Sequence, residues 1–130
     1  MSALVVQTST PQARPTVVTV GGEIDMATVP ALRRHLLSVP DCNTILEFSG
    51  VRLLSAAGLT ELVDLRDRLT RAGARLALAG ASPSVRRVLT ITGLDATMML
   101  ADTLHDAVEL VTTPISRRPR PLSLVSETLK

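Results

Sequence analysis

Short apolar runs alternate with helix-phased segments from the start of the chain to residue 112, and glycine or proline marks most junctions. Such alternation leaves few folds open, because strands separated by crossover helices assemble into a largely parallel sheet with helices across its faces. Leu4 to Gln7 is a short apolar stretch, the two-proline segment from Thr10 to Pro15 breaks it, and Thr16 to Val20 is a β-branched run closed by Gly21-Gly22. These predict two strands joined by a turn. Thr28 is placed to cap a helix carrying Val29, Leu32 and Leu36 at helical spacing, with Pro30 in its first turn and Pro40-Asp41 at its end.

Thr44 to Phe48 predicts a third strand. After Gly58, Leu59, Leu62, Val63 and Leu69 trace one face of a helix from about Leu59 to Arg71, which Gly73 stops. Arg75 to Ala79 is the next strand, and Ser82 with Pro83 starts a helix bearing Val85, Val88 and Leu89 that Gly93 closes. Thr97 to Leu100 gives a last strand, and Asp102 is expected to cap a helix with Leu104, Ala107, Val108 and Val111 in phase. The expected fold is a single α/β domain over residues 1–112, in the order ββαβαβαβα. Its mixed, mostly parallel sheet has the first strand antiparallel at the edge.

Charge divides at the same place. The chain has 130 residues and a formal charge of +2, yet residues 1–112 carry ten Arg against eleven acids, or −1. Residues 113–130 carry Arg117, Arg118, Arg120 and Lys130 against Glu127, or +3. The basic, proline-containing segment loses all periodicity and is expected to extend from the domain as a tail, with Ser123 to Lys130 able to form a short docked element. Basicity is therefore no sign of direct nucleic-acid binding by the domain, and Phe48, the single aromatic residue, leaves nothing on which to stack bases.

The lone Cys42 forbids an intrachain disulfide, and His35 and His105 are too few for a Cys/His metal site, so no cofactor or metal is expected. A reduced, cytoplasmic setting fits. No apolar run approaches the roughly 18 residues of a membrane span, and the N-terminus lacks a secretory pattern.

Two places could carry chemistry. Leu53-Leu54-Ser55-Ala56-Ala57-Gly58-Leu59 turns from a strand into a helix with small side chains, giving either a helix N-terminus open to a partner or a phosphate, or a tight turn packed for its own sake. It lacks the glycines and Lys of a Walker loop. Glu23 and Asp25, at i and i+2, could act as acid and base; equally, Glu23 is a solvated charge and Asp25 organises the turn before Thr28. Both histidines read as surface residues. Cys42, in an expected loop, is either an inert small residue or an exposed thiol open to oxidation.

Three blocks in order carry a resemblance: Gly22-Glu23-Ile24-Asp25-Met26-Ala27-Thr28-Val29-Pro30-Ala31-Leu32, then Ile45-Leu46-Glu47-Phe48-Ser49-Gly50-Val51-Arg52, then Leu54-Ser55-Ala56-Ala57-Gly58-Leu59. Together, over roughly Thr16 to Thr112, they are similar to the STAS domain of anti-sigma factor antagonists. The resemblance implies a small α/β domain that is not an enzyme and that binds an anti-sigma factor, often an ATP-dependent serine kinase, so releasing a sigma factor for transcription. It implies a contact surface of Asp25, Met26, Ala27, Thr28, Ser55, Ala56, Ala57 and Gly58, with Glu61 and Asp64 on the exposed side of the following helix.

In regulated members the kinase phosphorylates a Ser in a motif of the form Asp-Ser-Ser-Gly or Asp-Ser-Ala-Gly. Here Ser55 stands where the family has Asp, and Ala56 stands where it has the acceptor. Ala56 cannot take phosphate. Ser55 is either a displaced acceptor or a helix cap. The expected function is an antagonist outside the usual phosphoserine switch; the alternatives are a STAS subunit or scaffold of another assembly, stressosome-like or a lipid transporter, and a nucleotide-binding sensor. The sequence names neither the partner nor an oligomeric state.

Overall fold

A computed structural model describes residues 3–9 and 15–113. The expected tail beyond Thr113, its Ser123 to Lys130 element and residues 10–14 of the expected first turn lie outside them. The described chain runs β1 (Leu4–Ser9), β2 (Thr16–Ile24), α1 (Val29–Leu37), β3 (Thr44–Leu54), α2 (Ala56–Arg71), β4 (Leu76–Ala79), α3 (Pro83–Ile91), a 3-10 turn (Leu94–Ala96), β5 (Met99–Ala101) and α4 (Leu104–Thr112). The strands form one sheet in sequence order, with β1 antiparallel to β2 and every other pair parallel. This is the ββαβαβαβα order that the periodicity predicts.

The core lies on both faces of the sheet. Val18, Val20, Ile24, Leu46, Phe48 and Leu78 face α1, α2 and α3, which bury Leu32, Leu62, Leu69 and Leu89 against them. On the other face Ile45, Ala77, Ala79 and Ala101 meet Ala107 and Val111 of α4. Covered on both sides, β4 reads Leu-Ala-Leu-Ala and is buried at all four positions. Its alanines face α4, where small side chains let the helix approach the strand closely.

Two arginines bind α1 to α2. Arg68 donates to the carbonyls of Leu36 (3.2 Å) and Val39 (2.6 Å), capping the end of α1, and lies 3.1 Å from Asp41. Arg33 donates from Nε (3.1 Å) and Nη2 (2.8 Å) to Oε2 of Glu61.

The boundaries depart from the sequence reading where local periodicity fails. β2 continues to Ile24 and β3 to Leu54, past the expected ends at Val20 and Phe48, through register irregularities between Thr19 and Gly21 and between Gly22 and Glu23. At Gly22 φ is +97°, and a Cβ there would lie 2.0 Å from the carbonyl oxygen of Ala3, so only glycine fits. α2 begins at Ala56, not Leu59. The cap of α4 is Thr103, whose Oγ1 accepts the Asp106 N–H at 3.1 Å, and not Asp102, whose carboxylate is taken by Arg86 Nη2 at 2.6 Å. The 3-10 turn delays the last strand to Met99.

Candidate protein-interaction site

β2 and β3 end together, with Ile24 in register with Leu54 and the Ser55 N–H donating to the Ile24 carbonyl at 2.9 Å. The two connections that follow therefore lie side by side. After β2, Asp25 Oδ1 accepts the N–H of Ala27 (2.9 Å) and of Thr28 (3.1 Å). Thr28 Oγ1 in return accepts the Asp25 N–H (2.9 Å) and donates to the Glu23 carbonyl (2.7 Å). This reciprocal lock is an Asx turn closed by a threonine. It explains a correction: the Thr28 hydroxyl makes no cap bond to α1, because it is turned back toward the strand.

The lock also bears on the expected contact residues. Thr28 is buried and Asp25 half-buried, and both build the turn. Ala27 is exposed. Met26, at the apex, is 83% exposed, the most exposed large apolar side chain among the described residues. Glu23 is half-buried in β2, and with two amides on Asp25 Oδ1 the pair reads as turn-building residues.

After β3, Ser55 caps α2 by accepting the Gly58 N–H at 3.3 Å. Ala56, the first helical residue, is exposed, while Ala57 is half-buried against the core. Gly58 corrects the sequence reading most sharply. It is buried, and a Cβ there would lie 2.4 Å from Ile24 Cγ2 and 2.8 Å from Leu54 Cδ1, so it seats the helix on the strand ends and touches nothing outside.

Glu61 is a second correction. Expected on the exposed side of the helix, its side chain is only 6% exposed, covered by the ion pair with the exposed Arg33. Arg33 is held further above its ordinary pKa range by the hydrogen bond to Glu61, then by that residue's charge, with Asp64 adding. Asp64 is exposed, as expected.

The tip gains two residues that the sequence reading missed. The skipped register position at Arg52, between the pairs Gly22 with Val51 and Glu23 with Leu53, breaks the in-out alternation of β3, leaving Arg52 exposed and Leu53 47% exposed. The three-residue spacing of the buried Val51 and Leu54 is the signal that could have revealed it. Met26, Leu53 and Ala56 thus present apolar groups at the C-terminal ends of β2 and β3.

Elsewhere, Cys42 is half-buried with Sγ 3.2 Å from the buried Thr16 Oγ1. His35 is half-buried and His105 is exposed. His105, Asp106 and Glu109 form the one group of three potential metal ligands among the described residues, all exposed on α4. No described helix is long and apolar enough to cross a membrane.

The sequence model of the STAS domain matches residues 5–107. The anti-sigma-F factor antagonist RsfB of Mycobacterium tuberculosis is 30% identical over 95 residues, covering 71% of this chain and 77% of that protein. The crystal structure of an anti-sigma factor antagonist from Mycobacterium paratuberculosis superposes with a TM-score of 0.75 at 31% identity, covering 84% of this chain and 94% of its own. The Bacillus cell fate determinant SpoIIAA in its phosphorylated form shares the fold, with a TM-score of 0.62 at 22% identity over 81% of this chain and 97% of that one.

Proposed function

The chain belongs to the STAS domain family, and we propose that it acts as an anti-sigma factor antagonist, binding an anti-sigma factor in the cytoplasm and so freeing a sigma factor for transcription. The observation that carries this reading is the tip, where Met26, Leu53 and Ala56 stand exposed in or beside the two turns at the ends of β2 and β3. Apolar side chains on a preorganised frame suit recognition of a protein partner, since little conformational freedom is lost on docking. The relatives named as antagonists point the same way. The contact set is Met26, Ala27, Leu53, Ser55 and Ala56 with Asp64 at its rim, while Asp25, Thr28, Ala57, Gly58 and Glu61 shape it from beneath. The interaction rests on residues 1–112 and not on the basic segment 113–130. The protein binds and does not catalyse.

Control by phosphorylation at the usual place is absent from this reading. A phosphate adds about −1.5 to −2 charge at a packed contact and can expel a partner, but Ala56 offers no hydroxyl. The Ser55 hydroxyl, one residue earlier, is engaged as the cap of α2. If the partner is an ATP-dependent serine kinase, incubation with it and ATP, followed by mass spectrometry, should leave the tip unmodified and Ala56→Ser should acquire phosphate. Stoichiometric phosphate on Ser55 would overturn the reading.

Ala56 also favours a second reading, a constitutive scaffold or subunit of a larger assembly, since such a part needs no acceptor. Affinity capture from native cells separates the two. Recovery of an anti-sigma factor supports antagonism, and recovery of transporter subunits or large scaffold proteins supports the alternative.

A further inference from the structure

The sheet ends in two edges of unequal length. β5 has three residues, whereas β1 has six, Leu4-Val5-Val6-Gln7-Thr8-Ser9, and no described strand borders its outer side. Natural edge strands are usually blunted by shortness, charge, proline or a bulge. β5 is short; β1 has none of these features.

The Glu23 N–H donates to the Ala3 carbonyl at 2.8 Å, which sets the phase of the ladder. In an antiparallel pair, backbone groups point alternately toward and away from the neighbouring strand. Ala3, Val5, Gln7 and Ser9 therefore address β2, and Leu4, Val6 and Thr8 turn their N–H and C=O groups outward. The side chains alternate too. Leu4 and Val6 pack against the core, and Val5 and Gln7 are exposed on the opposite face.

We infer that β1 pairs with β1 of a second copy of this chain, antiparallel about a two-fold axis through Val6. This register joins all three outward residues: Val6 exchanges two hydrogen bonds with its counterpart, and Leu4 pairs with Thr8 at each end. No charge opposes another across the join, because none of the six residues is charged. Val5 then faces Gln7 of the other copy, twice, and the partly buried Leu4 and Val6 of the two copies form one continuous apolar floor. The assembly closes as a dimer, since pairing consumes the one long free edge among the described strands of each copy.

Six-residue strands cover less than the roughly 800 Å² per partner of a standard stable complex, so the dimer forms at high concentration and dissociates on dilution. Its two-fold axis points the Met26 tips toward opposite ends of a ten-stranded sheet. Both remain open, and the dimer is bivalent.

Sedimentation equilibrium of the full chain, from micromolar to millimolar concentration, tests this. A reversible monomer–dimer equilibrium is expected. Val5→Lys with Gln7→Lys places two pairs of like charges directly opposite, and should weaken association roughly tenfold or more. Val5→Lys with Gln7→Glu places opposite charges there, and should restore the dimer and make it salt-sensitive. Both exposed positions tolerate these changes without loss of fold, checked by circular dichroism. Amide exchange at Leu4, Val6 and Thr8 should slow with concentration in the parent and not in the double-lysine variant. A chain monomeric at millimolar concentration, or dimers indifferent to the lysines, would overturn the proposal, and equal loss in both double variants would overturn its register.

Discussion

The turn after β2 is held by hydrogen bonds and the turn after β3 by close packing, although both present apolar groups at the same end of the strands. In Asp25–Thr28, two side chains satisfy the backbone from within, so the apex residue Met26 is free of any structural duty. In Ser55–Gly58 a single cap bond is backed by contact of Gly58 with Ile24 and Leu54, so the residues below the surface have no slack. A hydrogen-bonded turn separates what recognises from what supports. A packed turn fuses the two, and only Ala56, on its outer side, is open to change.

Breaking the packed turn should have the largest effect. Gly58→Ala, despite the better helix propensity of alanine, should lose about 1–3 kcal/mol by overpacking, and Gly58→Arg should leave little folded protein in urea titrations. Loss of partner binding by the arginine variant would thus report unfolding. Breaking the hydrogen-bonded turn comes next. Thr28→Val keeps the shape but removes the hydroxyl that accepts from the Asp25 N–H and donates to the Glu23 carbonyl, at about 1–3 kcal/mol. Asp25→Asn, which keeps an acceptor oxygen, should lose distinctly less by the same denaturation measurement.

Changes at the outer surface sharpen the contrast, because they should separate affinity from stability. Met26→Ala should lower affinity for the anti-sigma factor by about tenfold or more, the scale of an interface anchor, in a calorimetric titration. Its unfolding free energy should stay within about 0.5 kcal/mol of the parent. Ala56→Glu should behave alike, through charge at the same contact. The smallest effect is expected for Ser55→Ala, about 1 kcal/mol of stability for a lost cap, because the packing of Gly58 still holds the turn.

Much of this was legible in the sequence. The order of elements follows from apolar spacing and from the residues that punctuate it, and Ser55 and Ser82 can be read as caps because their hydroxyls act within three residues. Asp25 as a turn builder is legible for the same reason. The ends of β2 and β3 were not, since glycines and an extra residue at Arg52 interrupt the two-residue period that defines a strand. Leu53 was missed with them.

The amino-acid sequence by itself determined the strands and helices, the family blocks around Asp25 and Gly58, and the absence of a hydroxyl at Ala56, because each depends on local chemistry or on residue identity. Only the tertiary structure decided which residues of those blocks meet the outside. Glu61 is covered because Arg33 of another helix reaches over it, and Gly58 is sealed because Ile24 and Leu54 arrive from two strands. Burial is a property of neighbours distant in sequence, and no local pattern supplies them.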